Sequence, residues 1–184
     1  MKQKFIDTLK NNVHREGLDS LLDWLESTDF YRAPASSMFH CNYEGGLVEH
    51  SLNVYNTLVS SPFLKDYSDE TLAIISLLHD VCKANTYVTE MRNTKNEYDQ
   101  WVKVPYYKTK EEYPFGHGEK SVYLIMKYMN LTDEEALAIR WHMGGFDHAV
   151  KGGSYSLSEA YNSSKLALEL HLADMRATYI LENK

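Results

Sequence analysis

Of six residues able to hold a cation, His50, His79, Asp80, His117, His142 and Asp174, most fall on inward faces or at the ends of different helices. The chain's apolar residues recur at three- and four-residue steps. Burying an aspartate without partners is expensive, so a helical core that encloses Asp80 and Asp174 must place cations or several donors beside them. A metal meets that demand, and neutral imidazoles with carboxylates suit Fe, Mn, Zn, Co or Ni.

Periodicity places these residues on elements. Phe5, Ile6, Leu9 and Val13 mark a first helix over residues 2–14, and Leu18, Leu21, Leu22 and Leu25 a second. A loop holding Pro34 and "HCNYEGG" leads into a third helix from about Leu47, where Leu47, Ser51, Val54 and Leu58 share a face with His50. Ser68 caps a fourth helix expected to run through "DETLAIISLLHDVCK", with Leu72, Ile75, His79 and Cys82 along one stripe. On that continuous helix Lys83 shares the face of His79 and Asp80. The segment 87–107 then reads as two strands around the polar turn "RNTKNEYD", a β-hairpin inserted between helices.

A fifth helix follows "GHGEKS". Thr132 and Glu135 form a capping box for a sixth, which reaches His142 and stops at Gly144 and Gly145. The Gly- and Ser-rich stretch "KGGSYSLS" introduces one long last helix carrying Ala167, Leu170, His171 and Asp174 on a stripe. The expected fold class is all-α, a helical bundle with a small inserted β-hairpin, in one domain over residues 1–184.

Composition narrows the function classes. A net charge of −7 works against binding long nucleic acid, which requires Lys and Arg to neutralise phosphates, and leaves a short oligonucleotide or a small molecule open as partner. No stretch approaches the roughly 20 apolar residues of a membrane span, and two cysteines, Cys41 and Cys82, are too few for a disulfide framework. The expectation is a soluble, cytoplasmic protein.

The order His, His-Asp, His, His, Asp on successive helices resembles the HD-domain metal-dependent phosphohydrolase superfamily. "HCNYEGGLVEHSLNV" is similar to the segment carrying that family's first histidine, and "LLHDVCK" to its HD signature with the following lysine. "GHGEKS", "WHMGG" and "HLADM" resemble the later ligand segments. The likeness spans roughly residues 39–176 and excludes the hairpin. It implies an HD-type bundle with two divalent transition-metal ions, one held by His50, His79, Asp80 and Asp174, the other by His117 and His142, with Asp80 bridging. It also implies hydrolysis of a nucleotide or other small phosphoester by a water that the two ions activate. Asp80 and Lys83 would be catalytic, with Lys83 and His40 contacting substrate. Met143 stands where some relatives carry a further histidine, and no GYP follows it, a departure from the branch that hydrolyses cyclic-di-GMP. The same ligands also resemble the diiron oxygenases of this superfamily, which cleave a C–C or C–P bond. A non-catalytic nucleotide-sensing domain is the further alternative.

Overall fold

The structure, a computed structural model, describes residues 1–182. These residues are mostly helical, with one two-stranded antiparallel sheet. At the centre lies α4 (Asp69–Leu78), where every residue from Leu72 to Leu78 is buried. A helix apolar on all sides needs neighbours all round. It has them in α1 (Lys2–Asn12), α3 (Gly46–Val59) and α6 (Asp133–Trp141). The Ser68 hydroxyl accepts from the Thr71 N–H at 3.1 Å and starts α4.

Between α1 and α2 (Leu18–Glu26), Arg15 reaches into the bundle. Its guanidinium donates to both Glu135 oxygens, at 2.6 and 3.0 Å, and to Glu70 at 3.3 Å. Glu135 is fully buried and completes the expected capping box with Thr132 at the head of α6. This one carboxylate therefore ties the chain's beginning to α6 and, through the Thr71 hydroxyl at 2.9 Å, to α4.

The expectation that the fourth helix continues through Lys83 is corrected. α4 ends at Leu78, and Asp80 turns out of helical geometry at φ −108°, ψ 19°. A 3₁₀ turn, Val81–Lys83, follows. Residues three apart eclipse one another in 3₁₀ geometry, so Lys83 still stacks over Asp80.

Next comes the hairpin, β1 (Tyr87–Lys95) paired with β2 (Trp101–Thr109), Tyr87 opposite Thr109 and Lys95 opposite Trp101. The Asn96 side chain organises its turn by accepting from the Tyr98 and Gln100 N–H groups, each at 3.0 Å. Most of the hairpin is solvent-exposed on both faces, and it joins the bundle at its root, where Lys110 N–H donates to Thr86 O at 2.7 Å.

After α5 (His117–Met126) and α6, the short helix α7 (His148–Lys151) leads to a second correction. The last helix is two, α8 (Ser156–Ser163) and α9 (Lys165–Arg176). Ser164 breaks the run in extended geometry, φ −139°, ψ 117°, and its hydroxyl caps α9 by accepting from the Ala167 N–H at 3.2 Å. α9 packs on α3 and α6, then widens into a π-helical turn, Ala177–Leu181. No described helix is long and apolar enough to cross a membrane.

Candidate metal centre

Two helices end in the same way. His79 is the C-cap of α4 and its Nδ1–H donates to Ser76 O at 2.7 Å; His142 is the C-cap of α6 and its Nδ1–H donates to Ile139 O at 2.6 Å. Each ring thus satisfies a carbonyl that the helix end leaves open, and each is fixed as the tautomer whose Nε2 carries a free lone pair. Those two Nε2 atoms are buried and have no hydrogen-bond partner.

Both lone pairs face Asp80. Its Oδ2 lies 3.4 Å from His79 Nε2 and 3.7 Å from His50 Nε2. Its Oδ1 lies 2.7 Å from His117 Nε2 and 3.6 Å from His142 Nε2. The carboxylate is therefore divided, one oxygen toward each pair of imidazoles. Lone pairs of His79 and His142 opposed to carboxylate oxygens, with no proton between, repel unless a cation stands among them. Asp174, on α9, adds an oxygen 3.2 Å from His50 Nε2 and joins His79 and His142 in a group whose ligand atoms lie within 4.8 Å of one another. Imidazole and carboxylate donors in this arrangement can hold metal ions.

The loop ahead of α3 shows why the sequence needs "EGG". Gly45 sits at φ +81°, and a Cβ on Gly46 would overlap the Cys41 carbonyl. That close approach sets the 36–44 loop against the head of α3 and brings the His40 ring to 4.7 Å from His50. Both His40 nitrogens are buried without a partner. Burial, with the neighbouring His50 and Lys83, pulls its pKa down to about 4. Lys83 lies with its ammonium 2.6 Å from Asp80 Oδ2. Burial works against the charges of both, and their mutual attraction overcomes it, so Asp80 is held well below the usual carboxylate range and Lys83 above its ordinary value.

Sequence reasoning missed Glu182. Its carboxylate accepts from His50 Nδ1–H at 3.0 Å and from Asn53 at 2.9 Å. A carboxylate behind a ligating imidazole fixes the ring and raises its basicity. The signal lay in the spacing: Asp174, Thr178 and Glu182 fall at steps of four. Burial disfavours charge on His50, but the hydrogen bonds to Asp174 and Glu182 prevail and push its pKa up to about 9.

Cys82 is buried and stands beside the cluster, with Sγ 3.4 Å from His117 Nε2. Burial pushes its thiol up to about 12. His171 lies one step outside, its Nδ1–H donating to His142 O at 2.7 Å. Gly144, at φ +52°, leaves room for that ring, which a Cβ there would strike. Arg140 is occupied by Glu119 and Asp147.

The chain resembles one known enzyme over part of its length. Over an alignment of 112 positions the chain is 29% identical to the dihydroneopterin 2′,3′-cyclic phosphate phosphodiesterase of Methanocaldococcus jannaschii, covering 55% of this chain and 41% of that protein. The chain thus spans well under half the length of that relative. No family model matches the chain, and no solved structure matches it.

Proposed function

We propose that this chain is a metal-dependent phosphohydrolase of the HD type, acting on a nucleotide or another small phosphoester. The observation that carries the reading is the division of Asp80 between two pairs of imidazoles, with two buried, partnerless Nε2 atoms facing it. His50, His79, Asp80 and Asp174 would hold one ion; His117 and His142 would hold a second, which Asp80 shares. Two such ions, when bound, supply an acidified water and positive charge for the oxygens of an in-line displacement at phosphorus.

The remaining roles belong to the chain's own side chains. Ser76 O, Ile139 O and Glu182 hold the rings of His79, His142 and His50 in the ligating tautomer. Lys83, anchored on Asp80 Oδ2, offers an ammonium to a phosphoryl oxygen as charge builds there. His40, with both nitrogens unpartnered beside His50, supplies a hydrogen bond to substrate. Similarity to a phosphodiesterase supports phosphorus as the reaction centre, and so does a lysine set against the bridging carboxylate.

The test is a hydrolysis panel of nucleotides, cyclic nucleotides and short oligonucleotides, with the phosphomonoester or phosphate products resolved by chromatography, run with and without oxygen on protein purified anaerobically. Turnover of a phosphoester independent of oxygen is the expected result. A product carrying an atom from O₂ contradicts the proposal and favours the diiron oxygenase chemistry that the same ligands permit.

A further inference from the structure

The two outer edges of the hairpin differ in what they offer a further strand. Lys110 N–H donates to Thr86 O at 2.7 Å at the root, Asn96 N–H to Gln100 O at 3.0 Å at the turn, and Met91 stands opposite Pro105 midway. Bonded and unbonded pairs alternate along an antiparallel ladder. The pairs from Val88–Lys108 to Thr94–Val102 that share even numbers therefore carry the hydrogen bonds, and the odd-numbered residues of both strands aim their N–H and C=O groups outward. On β2 that outward row is interrupted in its middle by Pro105, which has no N–H to give, a common protection of a sheet edge. On β1 it runs unbroken through Thr89, Met91 and Asn93, whose backbone groups have no partner among the described residues.

The side chains along β1 carry charges of both signs. Glu90 and Arg92 project from one face of the hairpin, with Met91, 58% exposed, between them on the other. Lys108 and the Tyr106 hydroxyl approach Glu90 at 3.0 and 3.1 Å, both from the β2 side, which leaves the side toward the open edge uncovered. The Arg92 guanidinium lies 5.4 Å from the Tyr106 ring centre and has no carboxylate partner among the described residues. A guanidinium over a ring keeps the N–H groups in its own plane available. A lone two-stranded hairpin is marginal in water, yet this one runs nine residues in each strand with most of both faces in solvent.

We propose that the open edge of β1 pairs with the same edge of a second copy of this chain, antiparallel about a two-fold axis at Met91, to form a four-stranded sheet. Met91 is the middle residue of β1, so this register overlaps the strand along its whole length. The outward backbone groups then meet: Met91 bonds to the partner's Met91, and Thr89 to the partner's Asn93. Glu90 falls opposite the partner's Arg92, and Arg92 opposite the partner's Glu90, in the unbonded positions where facing side chains come closest. Moving the axis by one residue opposes Glu90 to its own copy or Arg92 to its own copy. Charge therefore selects, among the central registers, the one centred on Met91. Antiparallel pairing leaves the two helical bundles at opposite ends of the sheet, roughly 30 Å apart at about 3.3 Å per residue, so each chain keeps its own metal centre.

The experiment is sedimentation velocity of the full chain from low to high micromolar concentration. It compares wild type, Met91→Pro, Glu90→Lys, Arg92→Glu and an equimolar mixture of the last two, each variant checked for fold by circular dichroism. One strand pair is a small interface, so wild type should pass from monomer to dimer within that range. Met91→Pro removes an outward N–H and no bond of the hairpin's own ladder, as Pro105 does on β2, and should stay monomeric. Glu90→Lys and Arg92→Glu each set like charges opposite one another across the axis and should weaken the dimer roughly tenfold or more at low salt. Their mixture restores opposite charges at both positions and should form heterodimers more tightly than either variant pairs with itself. A wild type that stays monomeric throughout, a folded Met91→Pro that dimerises as wild type does, or a mixture that associates no better than its components overturns the proposal.

Discussion

Replacing Glu182 by glutamine removes the negative charge that His50 Nδ1–H meets at 3.0 Å while keeping a side chain of the same size beside Asn53. Two effects follow, and they oppose each other. Loss of the carboxylate behind a ligating imidazole weakens metal binding by about 10- to 100-fold, which is about 1.4 to 2.7 kcal/mol. But Glu182 also helps hold a proton on His50, whose pKa is up at about 9. An ion must displace that proton. In wild type, affinity at the site containing His50 should rise roughly tenfold per pH unit between pH 7 and pH 9, because each unit removes about tenfold of proton competition. Glu182→Gln lowers the His50 pKa, so this rise should flatten, and the net weakening should be larger at pH 9 than at pH 7. Competition titration of Zn²⁺ or Co²⁺ against a chelator across that range measures both. Equal affinities for wild type and variant at pH 9 would refute the account of Glu182.

Lys83→Met should retain its metals and fold yet lower kcat/KM by roughly 10²- to 10³-fold, as removal of one electrostatic contact to the transition state does. A rise in KM alone would reassign Lys83 to ground-state binding, and wild-type constants would leave it a structural partner of Asp80. Glu135→Gln leaves Arg15 with Glu70 as its remaining carboxylate partner, so the loss should be about 1.5 to 3 kcal/mol, the worth of hydrogen bonds to a charged group, checked by urea unfolding at pH 7. Burial opposes the Glu135 charge, but Arg15 outweighs it and holds the carboxyl below its ordinary value of 4.5. The stabilisation is therefore fully present above that value and lost as pH falls through the depressed folded pKa, so wild type and variant should converge in stability progressively below pH 4.5. A constant difference down to pH 3 contradicts this.

Much of the helical layout was legible because its signals are local. The Ser68 cap, the Thr132–Glu135 box and the three- and four-residue recurrence of Leu, Ile and Val need only neighbours in sequence. The hairpin was legible in the same way, from β-branched and aromatic residues flanking a polar turn. What was lost depended on distant contacts or on interruptions of a helical pattern. The break after Leu78 is invisible in the stripe Leu72, Ile75, His79, Cys82, because a 3₁₀ turn keeps the three-residue spacing that an α-helix also shows. Ser164 reads equally well as a mid-helix serine or as a cap, and only its extended backbone decides that α8 and α9 are separate. The cluster's members were legible one by one, since polar residues on apolar stripes stand out. Their grouping was legible only through the family resemblance, because His50, His79, His117, His142 and Asp174 come from five helical segments whose relative placement no local spacing encodes. Glu182 required both the π-helical turn and the packing of α9 on α3 before its carboxylate met His50.

The central claim is that one carboxylate, Asp80, serves two metal positions. Elemental analysis of anaerobically purified protein, wild type against Asp80→Ala and His117→Ala with folding confirmed by circular dichroism, tests it directly. The account predicts close to two transition-metal ions per wild-type chain, loss of both in Asp80→Ala, and loss mainly of one in His117→Ala. Folded Asp80→Ala protein that keeps its full metal content would contradict it.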